Sequence, residues 1–323
     1  MEPTTTRPAF SLEYGRFRFQ LQSRNNATLP LYKGSTLRGV LGRAFRQIAC
    51  HGDRKDCEGC MFLTRCAYAY VFETNRFTVA QEVGQHYVSH PFLLEPEVDG
   101  REDYLPGDVL AFHLVLFGHG LDYLPYFILA FQKVESLGLG VGRHPFTLEK
   151  VEQSLDEGAV PIWQGGDSLL RPPQRQDLAN YLEPDGNNSR EELHLNLETP
   201  LRLVSGGEMV TGLEFAVLAR ALFRRLSYLG KAHGRVSLDL PFQDLLGKAG
   251  KVQQVESGLS WQDWERYSAR QRKKLQMGGL VGSVRFQGPL QEFWPFLRMG
   301  EIIHLGKGTV FGLGKMRVTD WSE

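Results

Sequence analysis

The chain has 323 residues, 42% of them apolar, enough for one large hydrophobic core or two of ordinary size. Its 37 lysines and arginines are balanced by 37 acidic residues, so no net field draws the protein onto a polyanion, and any nucleic-acid contact must come from local clusters of cations. The opening stretch MEPTTTRPAF lacks the apolar run of a secretion signal and no run approaches the length of a membrane span, which predicts a cytoplasmic protein with no membrane partner.

Taken in chain order, FSLEYGRFRFQLQ (10–22) alternates apolar and polar residues and predicts a strand. Past Tyr32 and Lys33, residues Leu37, Val40, Leu41, Ala44, Phe45 and Ile48 recur at helical spacing, leaving Arg38, Arg43 and Arg46 on the other side. The helix runs into CHGDRKDCEGCMFLTRC, which holds every cysteine of the chain: Cys50, Cys57, Cys60 and Cys66, spaced C-x6-C-x2-C-x5-C. In a reducing compartment such cysteines are thiols or metal ligands and not disulfides. Two thiolates two residues apart grip one ion from a tight turn, here with Gly59, and four complete a tetrahedral shell. A structural zinc is the first reading; a four-cysteine iron–sulfur cluster and four free thiols are the alternatives. With no open coordination position, such a metal holds a loop and performs no hydrolysis. HPFLLE (90–95) and DVLAFHLVLFG (108–118) then predict two further strands.

From residue 124 a helix pattern with Pro125 near its start leads to a glycine cluster, Gly140-Val141-Gly142-Arg143, and an extended run. The polar, proline- and glycine-containing stretch 166–190 predicts a linker. The same order then recurs. ELHLNLETPLRLV (192–204) alternates like a strand, and Phe215, Leu218, Leu222, Leu226 and Leu229 form a helical stripe with Arg220, Arg224 and Arg225 elsewhere. GKVQQVESGLSWQDWERYSARQ (250–271) and GLVGSVRFQG (279–288) supply strand candidates, and a second helix with Pro295 near its start ends in another glycine cluster. The order β-α-β-β-α-β, twice, predicts an α+β fold of two tandem ferredoxin-like domains, each with a glycine-rich loop before its last strand. They span 1–165, with the four-cysteine insertion at 50–66, and 191–323.

The second glycine cluster, HLGKGTVFGLGKMRV (304–318), matches no nucleotide-phosphate motif: it lies between a helix and a strand, the reverse of a P-loop, and Gly-x-Gly-x-x-Gly is absent. Glycines after a helix also serve simply to cap it and turn the chain.

Tandem ferredoxin-like halves of this kind resemble the RAMP superfamily of CRISPR-associated proteins. PLYKGSTLRGVLGRAF (30–45), RYSARQRKKLQMGGLVGSVRF (266–286) and GEIIHLGKGTVFGLGKMRV (300–318) are similar to the endoribonucleases that process CRISPR precursor RNA. The resemblance implies metal-independent cleavage of CRISPR repeat RNA into guide RNAs with 2′,3′-cyclic phosphate and 5′-OH ends. Its alternative is a non-cleaving RNA-binding subunit of the same superfamily. Other subunits of a CRISPR effector complex are implied as partners of a protein that keeps its product. Catalysis of this type needs a base for the 2′-OH, an acid for the leaving oxygen and cations or donors around the phosphorane. His51, directly after the first helix, occupies the place where such enzymes often carry a catalytic histidine, with Tyr32 and Lys33 as supporting groups. His304 is the rival, although it also fits the face of the last helix. For RNA binding the candidates are Gly306, Lys307, Gly308, Gly312, Gly314 and Lys315 in the loop, Arg266, Arg270, Arg272, Lys273 and Lys274 in RYSARQRKK, and Arg143 in the first half. In the glycine loop, backbone N–H groups and lysines would meet phosphates.

Overall fold

The structure, a computed structural model, describes residues 10–50, 57–76, 88–183, 190–263, 265–268 and 273–319; of 264–275 nothing beyond the backbone strands is described. The chain divides into two compact units: Leu12–Gln176 with Ala232–Gly234, and Met1–Ser11 with Asp177–Lys231 and Arg235–Glu323. The division falls within the stretch 166–190, part of which is ordered: a 3-10 turn spans Leu178–Leu182, with Leu178 buried.

In the first unit, β1 (Glu13–Ser23), α1 (Gly34–Ala49), α2 (Ala67–Phe72), β2 (Phe92–Pro96), β3 (Val109–Phe117), α3 (Leu124–Gln132), β4 (Phe146–Leu155) and β5 (Gly158–Gln164) follow one another. The sheet order is β2-β3-β1-β4-β5, antiparallel throughout. Its first four strands have the ferredoxin-like arrangement, and β5 extends the edge as a hairpin with β4. The period-2 pattern of β1 buries Phe17, Phe19 and Leu21, while α1 buries Leu37, Val40, Leu41, Ala44 and Phe45 along its stripe. Phe131 of α3 closes on Phe19 and Phe112 with ring centroids 5.1 and 4.8 Å apart, and Phe45 meets Phe127 at 5.2 Å.

The second unit repeats this plan with β6 (Glu192–Leu201), α4 (Phe215–His233), α5 (Phe242–Ala249), β7 (Gln253–Ser257), β8 (Ser260–Gln262), β9 (Glu265–Ser268), β10 (Lys273–Gln276), β11 (Gly279–Gln287), α6 (Trp294–Ile303) and β12 (Met316–Thr319). Its sheet runs β7-β11-β6-β12, again antiparallel, with β8 also paired to β11. Leu193, Leu195 and Leu197 of β6 and the α4 stripe from Phe215 to Leu229 form the core. The stretch 250–271, which the sequence presents as one strand candidate, is broken into three. Gly258 leaves the ladder to bond the Ser283 carbonyl, and β9 pairs only with β10 as a separate hairpin. Among the described residues no helix is long and apolar enough to cross a membrane.

The last glycine of the 304–318 loop is fixed by two constraints at once. Gly314 has φ +72°, and a Cβ there would sit on the Leu305 carbonyl oxygen. Gly314→Ala is expected to destabilise the protein by about 2–4 kcal/mol in denaturant titration, because strain and overlap with rigid backbone add. Gly247→Ala, on the open face of α5 with nothing within 4 Å of the new methyl, is expected to be neutral or stabilising by up to about 1 kcal/mol. Equal effects of the two would refute the constraint.

Candidate nucleic-acid interface

The loop after α6 is fastened at several points to the end of β6. Thr199 Oγ1 donates to the Gly312 carbonyl at 2.8 Å and accepts from Lys315 N–H at 2.9 Å. Gly314 N–H reaches the Pro200 carbonyl at 3.1 Å, and Lys307 N–H reaches the Arg202 carbonyl at 2.9 Å. From α4, buried Arg225 donates to the Ile303 carbonyl at 3.3 Å and to Thr309 Oγ1 at 3.1 Å. Four left-handed glycines, Gly306, Gly308, Gly312 and Gly314, let the chain fold this tightly. Most of the loop's N–H groups from 311 to 315 are thereby spent inside the protein. The glycines serve the loop's own packing, and what they present outward is the exposed Lys307 beside Gly308.

Two cations of the loop region are already paired. Glu198 lies 2.9 Å from Lys315 Nζ and 2.6 Å from Arg317 Nε. Burial pushes its carboxyl up, but Arg317 and Lys315 together hold it below the usual carboxylate range. Lys315 is thus tied to a carboxylate of β6. In the first unit the matching loop closes through reciprocal Leu139 and His144 backbone bonds, with Arg143 exposed at φ +48°.

The structure moves several candidate catalytic groups apart. His304 is wholly buried as the C-cap of α6, at φ +52°, with its N–H on the Gly300 carbonyl. An RNA cannot reach it without opening the fastened loop, so its role is internal. Lys33 is 1% exposed. Its ammonium donates to Asp99 at 2.9 Å, to the Arg101 carbonyl and to the Leu31 carbonyl at 3.4 Å. All three protons point inward, so this lysine holds a loop and is not a proton carrier at the surface. The phenol of half-buried Tyr32 is pushed well above its ordinary range by burial and by the Glu95 carboxylate, so it remains a donor at physiological pH.

His51 lies outside the described residues, as do Arg270 and Arg272; for Arg266, Lys273 and Lys274 the structure gives the backbone of the β9–β10 hairpin. Tyr32 and Lys33 stand before α1 and Cys50 stands after it, at opposite ends of an unbroken helix of 16 residues that spans about 24 Å at 1.5 Å per residue. The helix carries the chain away and does not return it, so Tyr32, Lys33 and the end of α1 do not form one cluster. What gathers at that end is Arg46, whose guanidinium lies 5.4 Å from the Tyr68 ring centroid and hydrogen-bonds Cys50. An open depression lined by Ile48, Lys133 and Ser136 lies alongside.

Cys50 caps α1, Cys66 precedes α2, and Cys57 and Cys60 form a turn closed by Cys60 N–H on the Cys57 carbonyl at 3.3 Å, with Gly59 at φ +65°. All four are half-buried free thiols. The Cys57 thiol is pushed up by burial, by Glu73 and, less strongly, by neighbouring Cys66 and Cys50, partly offset by Arg46. Among the described residues no three potential ligands stand close enough together to hold an ion.

Sequence reasoning missed two arginines of the loop region, Arg202 and Arg225. Arg225 lies off the apolar stripe of its helix in sequence, yet it is 8% exposed and braces the loop. Arg202 stands alone in the apolar run PLRLV, and that isolation was the available signal.

Two family models match the chain: one described as an N-terminal domain over residues 12–175, and the CRISPR-associated endoribonuclease Cas6 over 195–316. Among solved structures, a Cas6 product complex is 16% identical with a TM-score of 0.58, covering 95% of this chain and all of that one. Cas6 of Thermus thermophilus is 13% identical at a TM-score of 0.55, covering 96% and 100%. A chain of a partial Cas6-RT-Cas1–Cas2 complex is 13% identical at 0.59, with 96% of this chain and 46% of that one aligned. No curated protein matches by sequence. At these identities the structural likeness speaks for the fold.

The Glu198 triad has a pH signature. A carboxyl whose folded pKa is lowered contributes stability that is complete above the ordinary carboxylate range and vanishes as pH falls through the lowered value. Glu198→Gln is expected to reduce stability at pH 7 and to flatten its decline between about pH 5 and pH 3. Urea midpoints across that window check this; an unchanged decline in the variant would show that Glu198 carries no linkage.

Proposed function

We propose that this chain is an endoribonuclease of the CRISPR-associated Cas6 type, and that its residues perform the cleavage as follows. It is a precursor CRISPR RNA endoribonuclease. The observation that carries this reading is the endoribonuclease family match over 195–316, which runs from β6 to the start of β12 and includes the fastened glycine loop. In our proposal the 2′-OH of one nucleotide loses its proton to a base and attacks the adjacent phosphorus. The P–O5′ bond breaks, the departing oxygen takes a proton, and the products carry a 2′,3′-cyclic phosphate and a 5′-OH. Side chains suffice for both proton transfers, so no metal is required for the step.

His51 is the proposed proton carrier, since imidazole titrates near neutral pH. Its assignment rests on its place directly after α1. In this proposal Tyr32 and Lys33, which precede α1, take no part in the step; Arg46 and Tyr68, gathered at the other end of α1, are the groups to stabilise the phosphorane. Lys307, Arg143 and the β9–β10 hairpin with Arg266, Arg270, Arg272, Lys273 and Lys274 supply phosphate contacts for the repeat RNA. The processed RNA, retained by those contacts, would pass with the protein to other CRISPR effector subunits in the cytoplasm.

Cys50, Cys57, Cys60 and Cys66 are proposed to bind one structural zinc. The support is their spacing, the left-handed Gly59 in the Cys57–Cys60 turn, and the placement of all four between α1 and α2. Closing four thiolates on one ion requires them to draw together from the arrangement described above.

His51→Ala is expected to bind repeat RNA with nearly unchanged affinity and to cleave about 10²–10⁴-fold more slowly in single-turnover assays run in EDTA. Cutting at the normal rate would move the active site away from the end of α1. For the cysteines, elemental analysis is expected to find one zinc per chain, with Cys60→Ser losing both the zinc and thermal stability. Metal-free protein, or iron with sulfide in its place, would overturn the zinc assignment.

A further inference from the structure

Arg202 stands just past the end of β6, where three parts of the second unit meet. It forms a parallel bridge with Gly306, and its carbonyl accepts the Lys307 N–H at 2.9 Å. Gly306, at φ +80°, is so close that a Cβ would strike that carbonyl. On its other side the Arg202 stem lies against Gly279, the first residue of β11, where a Cβ would come within 2.9 Å of Arg202 Cγ. Its Nη1 approaches the Met277 sulfur at 3.8 Å, and Met277 follows directly on β10. Arg202 therefore connects the glycine loop to the exit of the basic hairpin.

The guanidinium is half-buried and, among the described residues, has no counter-charge. Its neighbours differ in this respect: Lys315 and Arg317 are paired with Glu198, Arg285 with Glu256 and Arg298 with Glu301. Arg225 is satisfied by a carbonyl and a hydroxyl. Among the described residues the one side-chain acceptor for Arg202 is a thioether, a weak one, and its Nε is sealed from solvent with no hydrogen-bond partner there. Burial alone pulls its pKa below the ordinary value. A cation partly removed from water without a partner is a cost that an arriving anion relieves, and the planar guanidinium fork fits a phosphate with two N–H donors.

We propose that Arg202 is a phosphate anchor of the RNA site, taking a backbone phosphate of the bound repeat between the glycine loop and the β9–β10 hairpin. This rests on the RNA-processing function proposed above. The sequence alone presents Arg202 as one cation in an apolar run; the fold places it beside Lys307, so that two cations meet neighbouring phosphates from one side of the loop.

The experiment measures binding of a fluorescent CRISPR repeat RNA, with a 2′-deoxy substitution at the mapped cleavage nucleotide, as a function of salt. Arg202→Gln keeps the stem that packs on Gly279 and removes the charge. It is expected to melt like the parent, to bind roughly 10- to 100-fold more weakly, and to lower the salt slope by about 0.7–1. Arg202→Lys, which keeps the charge but loses the fork, is expected to retain the slope with an intermediate affinity. A glutamine variant with parental affinity and slope would overturn the proposal. So would a variant that binds weakly with an unchanged slope and a lowered melting temperature, since that marks a packing role. If the parent protein itself neither binds nor cuts the repeat RNA, the RNA-processing reading fails, and the role of Arg202 falls with it.

Discussion

The second unit depends on how its glycine loop is tied to the end of β6. Thr199 is the centre of that tie: one hydroxyl both donates to Gly312 and accepts from Lys315, joining the two sides of the loop to one strand. Around it, Gly314 bonds Pro200, Lys307 bonds Arg202, and Arg225 reaches in from α4 to hold Ile303 and Thr309. Buried polar groups are costly unless satisfied, so these bonds together favour the one loop conformation described. The left-handed glycines are a consequence, because no other residue passes so close to its own backbone without strain.

That rigidity bears on function. A loop that binds a polyanion from fixed positions loses little conformational entropy when the ligand arrives. Here the N–H groups from 311 to 315 turn inward, so side chains and not the backbone are what this part of the loop offers outward. The pairing of Lys315 and Arg317 with Glu198 divides the local cations into two sets. One set holds the fold; the other, Lys307 and Arg202, meets no carboxylate among the described residues and is the set proposed to bind phosphates. The chain can therefore be neutral overall and still present a local binding surface.

In the first unit the decisive constraint is the length of a helix. Because α1 runs unbroken from Gly34 to Ala49, the groups before it and after it are separated by its full length. Lys33 uses its end of that helix to hold Asp99 and the 101 carbonyl, while Arg46, Tyr68 and the first cysteine lie at the other. Loop anchoring by Lys33 and the Arg46–Tyr68 pair are thus kept apart on one rod.

The amino-acid sequence by itself determined the repeated β-α-β-β-α-β order, because periods of 2 and 3.6 in buried residues are written directly into β1, α1, β6 and α4. It marked the two glycine loops, the cysteine cluster and the basic hairpin through composition and spacing. It could not show which polar side chains fold inward: Lys33, His304 and Arg225 look like surface residues in one dimension, and their burial follows from partners up to 84 residues away. Nor could it separate Lys315, which a β6 carboxylate neutralises, from Arg202, which no carboxylate among the described residues meets. Such pairings are set by long-range contacts between strand ends and loops. Tertiary structure alone decided which charges are spent on the fold and which are not.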